Sequence, residues 1–332
     1  MRISFNTLPA NLRLGYNGYS NAGYGMVKAL SDLGHEVPFI DDTAPVEVAF
    51  CQPNWTEWSN PDAYHIQYTP WESTELPDGW LEAFNEADEV WTPSPLIAQW
   101  YKDAGVIVPV KVYEHGISHA WNPSKEPVQT SRFTFLHHGS APRKGAQQAV
   151  DAFMELYGDS KDHLLILKAD GSTAARLRDS VGNIVGDIYS QKNIKIIERQ
   201  MPEDELINLY RSVNCFIGNS QAEGFGLPAF QAIAAGVPTI CTEAWAPYSD
   251  HIIPELRLPS EMIDSPWPDI HPGKVFQPSY EDLINSMKSV EENETKFTSQ
   301  ARANSLGLHR KYDWKSLTEE AFAPVVSRFG DV

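Results

Sequence analysis

A carboxylate in a glycine-rich turn is the most informative chemical feature of the sequence. Glu223 stands in the run N-S-Q-A-E-G-F-G-L-P (219–228), directly after the apolar strand N-C-F-I-G. Pro228 favours the first turn of a helix, and Gly224 and Gly226 leave the backbone N–H groups uncovered. Such N–H groups bind anions, and open α/β sheets bind ligands at the carboxyl ends of their strands. The run predicts a site for a diphosphate or a sugar hydroxyl; a tight turn carrying a solvated glutamate is the alternative.

Two adjacent basic residues form a second candidate site. Arg143 and Lys144 lie in the run G-S-A-P-R-K-G (139–145), after the apolar strand F-T-F-L and before a helix that begins near Ala146. Cations at a glycine-flanked helix start can stabilise a leaving diphosphate through charge-assisted hydrogen bonds. Because the chain holds 44 acidic and 26 basic residues, two adjacent cations at a strand end favour an anion site over an ordinary solvated turn.

A third run is rich in glycine and lies near the N-terminus. G-Y-N-G-Y-S-N-A-G-Y-G (15–25) separates the first strand, R-I-S-F-N, from the helix M-V-K-A-L-S-D-L-G. We predict a loop in which Gly23 and Gly25 let a ligand approach the backbone closely. The spacing is not G-x-G-x-x-G, so it gives little support to dinucleotide binding, and a flexible surface loop is the alternative.

Motifs of several enzyme classes are absent from the sequence. It has no D-x-D triplet and none of the motifs H-E-x-x-H, G-x-S-x-G and G-x-x-x-x-G-K-[ST]. Metal-clamped transfer, hydrolase chemistry and P-loop ATPase activity therefore lack support, and we predict no metal site. A phosphate site without a metal must be built from cations and backbone amides.

Short apolar runs alternate with helical stretches along the chain, which is typical of parallel, doubly wound sheets. Two such series flank the polar, turn-rich segment 115–132. The predicted fold class is α/β, with two Rossmann-like domains facing a central cleft, an N-terminal domain over residues 1–125 and a C-terminal domain over residues 126–310. Apolar residues at helical spacing in 311–329 predict a helix that packs back on the first domain. The proline-rich segment 251–279 is predicted to be irregular and to lie near the cleft.

Length, charge and cysteine content narrow the class of protein. A chain of 332 residues is longer than one hydrophobic core usually supports. Its net charge of −18 argues against nonspecific affinity for nucleic acids and anionic membranes. Three widely spaced cysteines predict neither a disulfide nor a zinc site and favour a reducing compartment. Because the sequence shows no signal peptide and no long apolar run, we expect a cytoplasmic protein.

Taken together, the three runs resemble the GT-B glycosyltransferases of glycosyltransferase family 4, which are retaining nucleotide-sugar enzymes. The resemblance covers nearly the whole chain. It is strongest from F-T-F-L-H-H-G-S-A-P-R-K-G (133–145) to the segment 201–240, which contains the E-G-F-G-L-P element. In the first half of the chain, G-Y-G, L-G-H-E-V, V-W-T-P-S and E-H-G-I-S are similar to the family more loosely.

The resemblance implies a role for each candidate residue. Glu223 becomes the first acid of the family's E-x7-E motif and contacts the donor sugar. Arg143 and Lys144 neutralise the diphosphate leaving group, over which the loop around Gly23 and Gly25 would close. Backbone amides that approach the sugar and phosphate belong to Gly224, Phe225, Gly226 and Leu227.

Two positions depart from the family pattern. Eight residues after Glu223 the family has a second glutamate that holds the ribose hydroxyls, whereas this chain has Gln231. An uncharged oxygen accepts a weaker hydrogen bond, which weakens the expected nucleotide binding. Ser118 stands in E-H-G-I-S where the family often has aspartate. The loop that contains Arg199 and Met201 is predicted to contact the nucleotide base, although its residues do not separate uracil from guanine.

The implied reaction is retaining transfer from a UDP- or GDP-sugar, without a metal and without any cofactor beyond that co-substrate. The bond to the diphosphate loosens, oxocarbenium character develops, and the acceptor attacks from the same face of the sugar. Positioning and charge stabilisation then supply most of the catalysis. Acceptor activation falls to Glu72, or less favourably to His65, near the end of a strand in the first domain.

The first domain, which binds the acceptor in this family, is the more acidic half of the chain. Residues 1–125 hold 6 basic and 16 acidic residues, for a net charge of −10. Trp55, Trp58 and Trp71 are candidates for stacking on an acceptor, although most tryptophans pack in cores. Membrane docking usually requires a basic amphipathic surface, and the sequence shows none. We therefore expect a soluble saccharide, metabolite or protein as acceptor, and neither a membrane nor a nucleic acid as partner.

Three alternatives stay open at the level of sequence. Gln231 could mark a catalytically impaired relative that only binds nucleotide sugars. The chain could belong to another GT-B class, such as a sugar-nucleotide epimerase or a phosphorylase. It could also transfer sugar to modified DNA bases, which would require a local basic groove in an acidic protein.

Overall fold

The chain forms two compact units. The structure, a computed structural model, describes residues 1–7, 18–123, 131–169 and 192–330. Unit 1 consists of Met1–Ser118, Asp264–Val275 and Tyr312–Val332, and unit 2 of His119–Ile263 and Phe276–Lys311. Each unit holds a parallel sheet, which confirms the predicted α/β class. Residue 125, where the sequence predicts a domain boundary, lies outside the described residues.

Thirteen strands and nine α-helices are assigned within the described part of the chain. The strands are β1 (Ile3–Asn6), β2 (Val46–Phe50), β3 (Tyr64–Tyr68), β4 (Glu89–Thr92), β5 (Val110–Val112), β6 (Phe133–His138), β7 (His163–Lys168), β8 (Ile194–Ile197), β9 (Cys215–Gly218), β10 (Thr239–Thr242), β11 (Arg257–Leu258), β12 (Ser260–Asp264) and β13 (Lys274–Pro278). The helices are α1 (Gly18–Asp32), α2 (Trp80–Asn85), α3 (Pro95–Asp103), α4 (Ala146–Tyr157), α5 (Glu203–Arg211), α6 (Leu227–Ala234), α7 (Tyr280–Glu292), α8 (Glu294–Lys311) and α9 (Trp314–Phe329).

Unit 1 is built on a five-stranded parallel sheet with the order β1-β2-β3-β4-β5. β2 and β4 are buried over their whole length, as expected for strands covered on both faces. Aromatic rings pack α1 onto this sheet. The ring of Phe50 lies 5.0 Å from that of Tyr19 in α1 and stacks 5.1 Å from that of Tyr68 in β3. Helix α9 packs against α1 in the same unit.

The N-terminal glycines lie inside a helix, and the loop predicted for them is wrong. Because α1 begins at Gly18, both Gly23 and Gly25 are helical, and Gly23 is buried. A Cβ on Gly25 would come within 2.5 Å of Cζ2 of the Trp314 indole at the start of α9, and one on Gly116 would come within 2.5 Å of the same ring system. Glycine is therefore required at residue 25 by the close approach of an indole. The rest of the predicted loop lies outside the described residues.

Unit 2 is built on a six-stranded sheet with the order β11-β10-β9-β6-β7-β8. The paired strands are all parallel. Near the middle, β6 and β9 are direct neighbours, with Phe135 opposite Cys215 and His137 opposite Ile217. Since parallel strands end at one edge of a sheet, the segments that follow β6 and β9 leave from adjacent points.

The proline-rich segment 251–279 is more regular than the sequence predicts. β11 extends the sheet of unit 2, and β12 pairs with β13. Between these paired strands, Asp264–Val275 belongs to unit 1. There the N–H of Lys274 donates to Oγ1 of Thr74 at 2.8 Å, and the N–H of Thr74 donates to the carbonyl of Lys274 at 3.2 Å. Reciprocal hydrogen bonds therefore fix this segment to the loop that follows β3.

Two further features bear on the class of protein. No helix among the described residues is both long and apolar enough to cross a membrane. The three cysteines, Cys51, Cys215 and Cys241, are buried as free thiols.

Substituting the two helical glycines should test the packing of Trp314. Gly25→Ala should destabilise unit 1 by about 1–3 kcal/mol, because the added methyl group overlaps a rigid indole. Gly307→Ala in α8 is the matched control: its Cβ would meet His251 at an ordinary 3.4 Å, so helix propensity should stabilise the chain by up to about 1 kcal/mol. Urea unfolding followed by fluorescence compares the two. Stabilisation by both substitutions would contradict the assigned contact.

Candidate active site

The candidate site lies at the carboxyl edge of the unit 2 sheet, where the segments after β6 and β9 meet. The carbonyl of Arg143 accepts hydrogen bonds from the N–H of Gln221 at 2.8 Å and from the hydroxyl of Ser220 at 3.1 Å. The side-chain amide of Asn219 donates to the carbonyl of Gly145 at 3.0 Å. The two runs singled out by the sequence are thus joined to one another by hydrogen bonds.

At this junction Glu223 forms an ion pair with both basic residues. Nζ of Lys144 donates to its two carboxylate oxygens at 2.6 and 2.5 Å. Nη1 of Arg143 lies 3.4 Å from Oε2 of Glu223 and donates to the carbonyl of Ala222 at 2.6 Å. Glu223 is only 8% exposed. Burial alone would raise the pKa of Glu223, but the charges of Lys144 and Arg143 outweigh it and lower that pKa below its ordinary value. The carboxylate is therefore ionised at neutral pH.

Two glycines shape the segment that carries the cations. Gly139 has a φ of +149°, and a Cβ there would come within 2.8 Å of the Lys144 side chain. Gly145 has a φ of +79°, and a Cβ there would come within 2.6 Å of the carbonyl oxygen of Asn219. Any other residue would be strained at both positions and would displace either the lysine or the neighbouring turn. Both glycines thus let the Lys144 side chain reach Glu223.

The start of α6 is held by two aromatic residues that the sequence did not indicate. Gly226, with a φ of +81°, immediately precedes the helix, and its carbonyl accepts a hydrogen bond from the hydroxyl of Tyr248 at 2.6 Å. Nε1 of Trp245 donates to the carbonyl of Ser220 at 2.7 Å. A Cβ on Gly226 would come within 2.5 Å of the Tyr248 hydroxyl. Both aromatic residues follow β10, and no motif in the sequence links them to Glu223.

A narrow cavity of about 10 Å³ opens between these elements. Its walls include His137, Lys144, Glu223, Gly226 and Trp245. The volume is about that needed to hold one water molecule. His137 was not among the residues chosen from the sequence, although its place at the carboxyl end of β6 is the same signal that identified the other two segments.

The remaining candidates of unit 2 occupy different environments. Gln231 is buried within α6, at the position where the family pattern has its second glutamate. The Phe225 ring packs 5.0 Å from Phe230 and 5.4 Å from Tyr248, so its side chain belongs to the core. Gly224 directly follows Glu223, and Leu227 is the first residue of α6.

The predicted base-contacting residues lie between β8 and α5. Arg199 is exposed and forms an ion pair with Glu205 in the first turn of α5. Met201 is half-buried and stands two residues before that helix. Both residues follow the end of a strand in the unit 2 sheet, and so do Arg143 and Glu223.

The candidates of unit 1 separate into packed and accessible residues. Glu72 has its carboxylate 3.9 Å from Nδ1 of His271. His65 stacks on Trp58 at 4.1 Å between ring centroids, and its Nε2 lies 2.8 Å from the carbonyl of Asn60. Trp71 is buried, with its ring 4.5 Å from that of Trp80, whereas Trp55 is 53% exposed. Among the three candidate stacking tryptophans, only Trp55 presents substantial free surface.

No group of three or more histidine, cysteine, aspartate or glutamate side chains in the described ranges could hold a metal ion. The positive charge at the candidate site comes from Arg143 and Lys144. Among the described residues, both cations pair with the carboxylate of Glu223.

Removing the Lys144 ammonium should reverse the pH dependence that Glu223 gives to the free energy of unfolding. In the wild type the lowered pKa of Glu223 contributes stability at neutral pH that is lost as the pH falls through it. In Lys144→Met, burial is less opposed, so the pKa of Glu223 rises. We expect a deficit of about 3 kcal/mol at pH 7 that shrinks on acidification as Glu223 becomes protonated. Urea unfolding between pH 4 and pH 8 measures it.

Two controls isolate the buried charge. Adding Glu223→Gln to the Lys144→Met variant should restore most of the lost stability at pH 7, because no uncompensated carboxylate is left. Lys288→Met removes an exposed ammonium on α7 and should change stability little at any pH. A deficit that is independent of pH and unaffected by Glu223→Gln would show that the ion pair does not stabilise the site.

Part of the chain is similar in sequence to known proteins. A curated relative is the serotype-specific mannosyltransferase WbdA of Escherichia coli, which is 36% identical over 101 residues. The matched region amounts to 30% of this chain and 12% of the length of WbdA.

Solved structures resemble the whole chain. Sucrose-phosphate synthase from Thermosynechococcus elongatus superposes with a TM-score of 0.76 at 13% identity and covers 100% of both chains. Anabaena HepE, solved in complex with UDP and glucose, gives a TM-score of 0.70 at 12% identity and covers 98% of this chain and 100% of its own. At such low identity these likenesses concern the fold, and they confirm the predicted GT-B class.

A family model matches residues 53–245, which include the ion pair of Lys144 and Glu223. The model describes family 4 glycosyltransferases in conflict systems. As the match spans more than half of the chain, the protein belongs to this family of glycosyltransferases.

Proposed function

We propose that this chain transfers a sugar from a UDP- or GDP-sugar to a soluble acceptor, without a metal and with retention of the anomeric configuration. The observation that carries the proposal is the pairing of the buried Glu223 with the half-buried Arg143 and Lys144 at the carboxyl edge of unit 2. Membership of a glycosyltransferase family supports it, as do the mannosyltransferase WbdA and the UDP and glucose bound by HepE.

The two cations suit the diphosphate of a nucleotide sugar. Arg143 and Lys144 both pair with Glu223, which places two cations side by side where an anion can bind. A diphosphate offers several oxygens and more negative charge than one carboxylate, so it competes for the Lys144 ammonium. As the bond to the sugar breaks, negative charge grows on the leaving diphosphate, and fixed cations stabilise it there. In this proposal they supply the charge that a metal ion supplies in other transferases.

Glu223 is suited to holding the sugar. An ionised carboxylate accepts hydrogen bonds and has no proton to give, so the lowered pKa of Glu223 argues against a role as general acid. When Lys144 turns to the diphosphate, the two oxygens of Glu223 lose their strongest donor. Sugar hydroxyls can replace that donor. Positioning the anomeric carbon beside the two cations is then the main catalytic contribution of this residue.

Unit 1 offers features that fit an acceptor without negative charge. Trp55 follows β2 at the carboxyl edge of the unit 1 sheet, where α/β sheets bind ligands, and its exposed ring could stack on a sugar. Among the described residues, several acidic side chains and no lysine or arginine line a surface cavity of about 390 Å³. These acidic residues are Glu75, Asp78, Glu82 and Asp103. Glu72, in the same unit, remains our candidate for activating the acceptor hydroxyl.

A thermal-shift screen with UDP, GDP, UDP-glucose and GDP-mannose tests donor binding. A ligand at 100 times its dissociation constant stabilises the folded chain by about 2.7 kcal/mol, so a true donor raises the melting temperature clearly.

Glu223→Gln should lower the rate of sugar transfer roughly 100- to 1,000-fold while the chain stays folded. Glu261→Gln, which changes an exposed carboxylate in unit 2, should leave the rate unchanged.

Measurements of sugar transfer also separate the proposed reaction from the remaining alternatives. Full activity in EDTA and a product with the anomeric configuration of the donor, identified by NMR, would support the metal-independent retaining reaction. Donor binding without transfer across a broad acceptor panel would instead indicate an impaired relative. A requirement for inorganic phosphate would indicate a phosphorylase, and transfer only to hydroxymethylated DNA would overturn the proposed acceptor. Unchanged transfer by Glu223→Gln would contradict the assigned site.

A further inference from the structure

A histidine beside the ion pair holds a defined protonation state. His137 lies near the end of β6, a strand flanked by β7 and β9 in the sheet, and its side chain is 2% exposed. Its Nδ1 lies 3.0 Å from the carbonyl oxygen of Ile217. Because a carbonyl oxygen only accepts hydrogen bonds, Nδ1 carries the proton. Burial lowers the pKa of His137 to about 4, so the ring is neutral at physiological pH.

The other ring nitrogen of His137 is an acceptor with nothing to accept. In a neutral imidazole that is protonated on Nδ1, Nε2 presents a lone pair. This atom is buried and has no hydrogen-bond partner among the residues that the structure describes. Buried polar atoms in folded proteins are nearly always paired, so an unpaired one calls for a ligand or a water. His137 lines the same narrow cavity as Lys144 and Glu223 and experiences the charges of both.

The lone pair on Nε2 favours the sugar of a nucleotide sugar over its diphosphate. A diphosphate at neutral pH has only acceptor oxygens, and a lone pair on Nε2 repels them. A sugar hydroxyl carries a proton that it can donate, is neutral, and is small enough for a cavity of about 10 Å³. The same hydroxyl can lie beside Glu223 without adding charge to a buried site.

We propose that Nε2 of His137 accepts a hydrogen bond from one hydroxyl of the transferred sugar and so selects donors that carry this hydroxyl. The inference rests on the proposed function, because it requires a nucleotide sugar in unit 2. When Lys144 leaves Glu223 for the diphosphate, two acceptors, the carboxylate and Nε2, face the sugar. A sugar without the matching hydroxyl leaves Nε2 unpaired, and sites built around a hydrogen bond reject such analogues strongly.

The test compares nucleotide sugars that differ by one hydroxyl. Whichever of UDP-glucose and GDP-mannose binds the wild type is measured by calorimetry against its 2-, 3-, 4- and 6-deoxyfluoro analogues, in which fluorine cannot donate a hydrogen bond. One analogue should bind the wild type roughly 10- to 100-fold more weakly than the parent sugar. In His137→Leu this ratio should fall to about twofold or less, whereas His137→Gln, which keeps an acceptor oxygen, should retain part of it.

Three controls define the role of the imidazole. Affinity for UDP or GDP alone should be the same in the wild type and in His137→Leu, because Nε2 does not face the diphosphate. His309→Leu removes another buried histidine of unit 2, bonded through Nε2 to the carbonyl of Ala234 on a different helix, and should keep the wild-type ratio. A third measurement uses ¹⁵N NMR on the wild type alone. The Nε2 resonance of His137 should shift when the parent nucleotide sugar binds and should not shift with the matching analogue.

The outcomes distinguish the two proposals. If the wild type binds none of these nucleotide sugars, the proposed function fails. If it binds them but His137→Leu keeps the wild-type ratio at every position, or if the Nε2 resonance does not respond to the parent sugar, donor binding stands and the role of His137 is overturned. Equal weakening of UDP, GDP and their sugars by His137→Leu would likewise show a merely structural role.

Discussion

The ion pair between Lys144 and Glu223 is the interaction on which the candidate site depends. It joins segments that follow two adjacent strands of one sheet, and a buried carboxylate with no cation beside it would be strongly unfavourable. Gly139 and Gly145 leave space for the lysine, and Gly226 leaves space for the aromatic residues that hold the start of α6. In the absence of a donor the cluster is thus internally satisfied. In the function we propose, a diphosphate replaces the carboxylate as a partner of Lys144, which couples donor binding to the release of Glu223 for the sugar.

Much of the fold and part of this site could be predicted from sequence, because both follow from local patterns. Alternating apolar strands and helices indicate two parallel sheets, and parallel strands place Arg143, Lys144 and Glu223 at one edge. The direct bond between lysine and glutamate was not predictable, since it depends on which strands are neighbours. Trp245 and Tyr248 were missed for the same reason: their contacts with the Glu223 segment are tertiary. The loop predicted at Gly25 is wrong: the residue is helical, and its lack of a side chain makes room for the Trp314 indole.

The segment Asp264–Val275 shows how composition alone can mislead. Its prolines predict irregular chain, yet its two ends are the paired strands β12 and β13, and its backbone bonds reciprocally with Thr74 in unit 1. Gly273 has a φ of +78°, and a Cβ there would come within 2.5 Å of Oγ1 of Thr74, so this contact also relies on a glycine. His271 of the same segment lies beside Trp71 and Glu72. The environment of Glu72 is therefore set partly by residues about 200 positions away in sequence, a relation that no local motif encodes.

Gln231 can be understood through the charge of the site. The family pattern has a second glutamate here, within the same helix that Glu223 precedes, and Gln231 is buried. A buried glutamate at this position would need a cation of its own. A neutral glutamine has no such need. Its amide can still accept from one ribose hydroxyl and donate to another, because it has both an oxygen and an NH₂ group. In the function we propose, the buried amide of Gln231 contacts the ribose hydroxyls without adding a charge to the site.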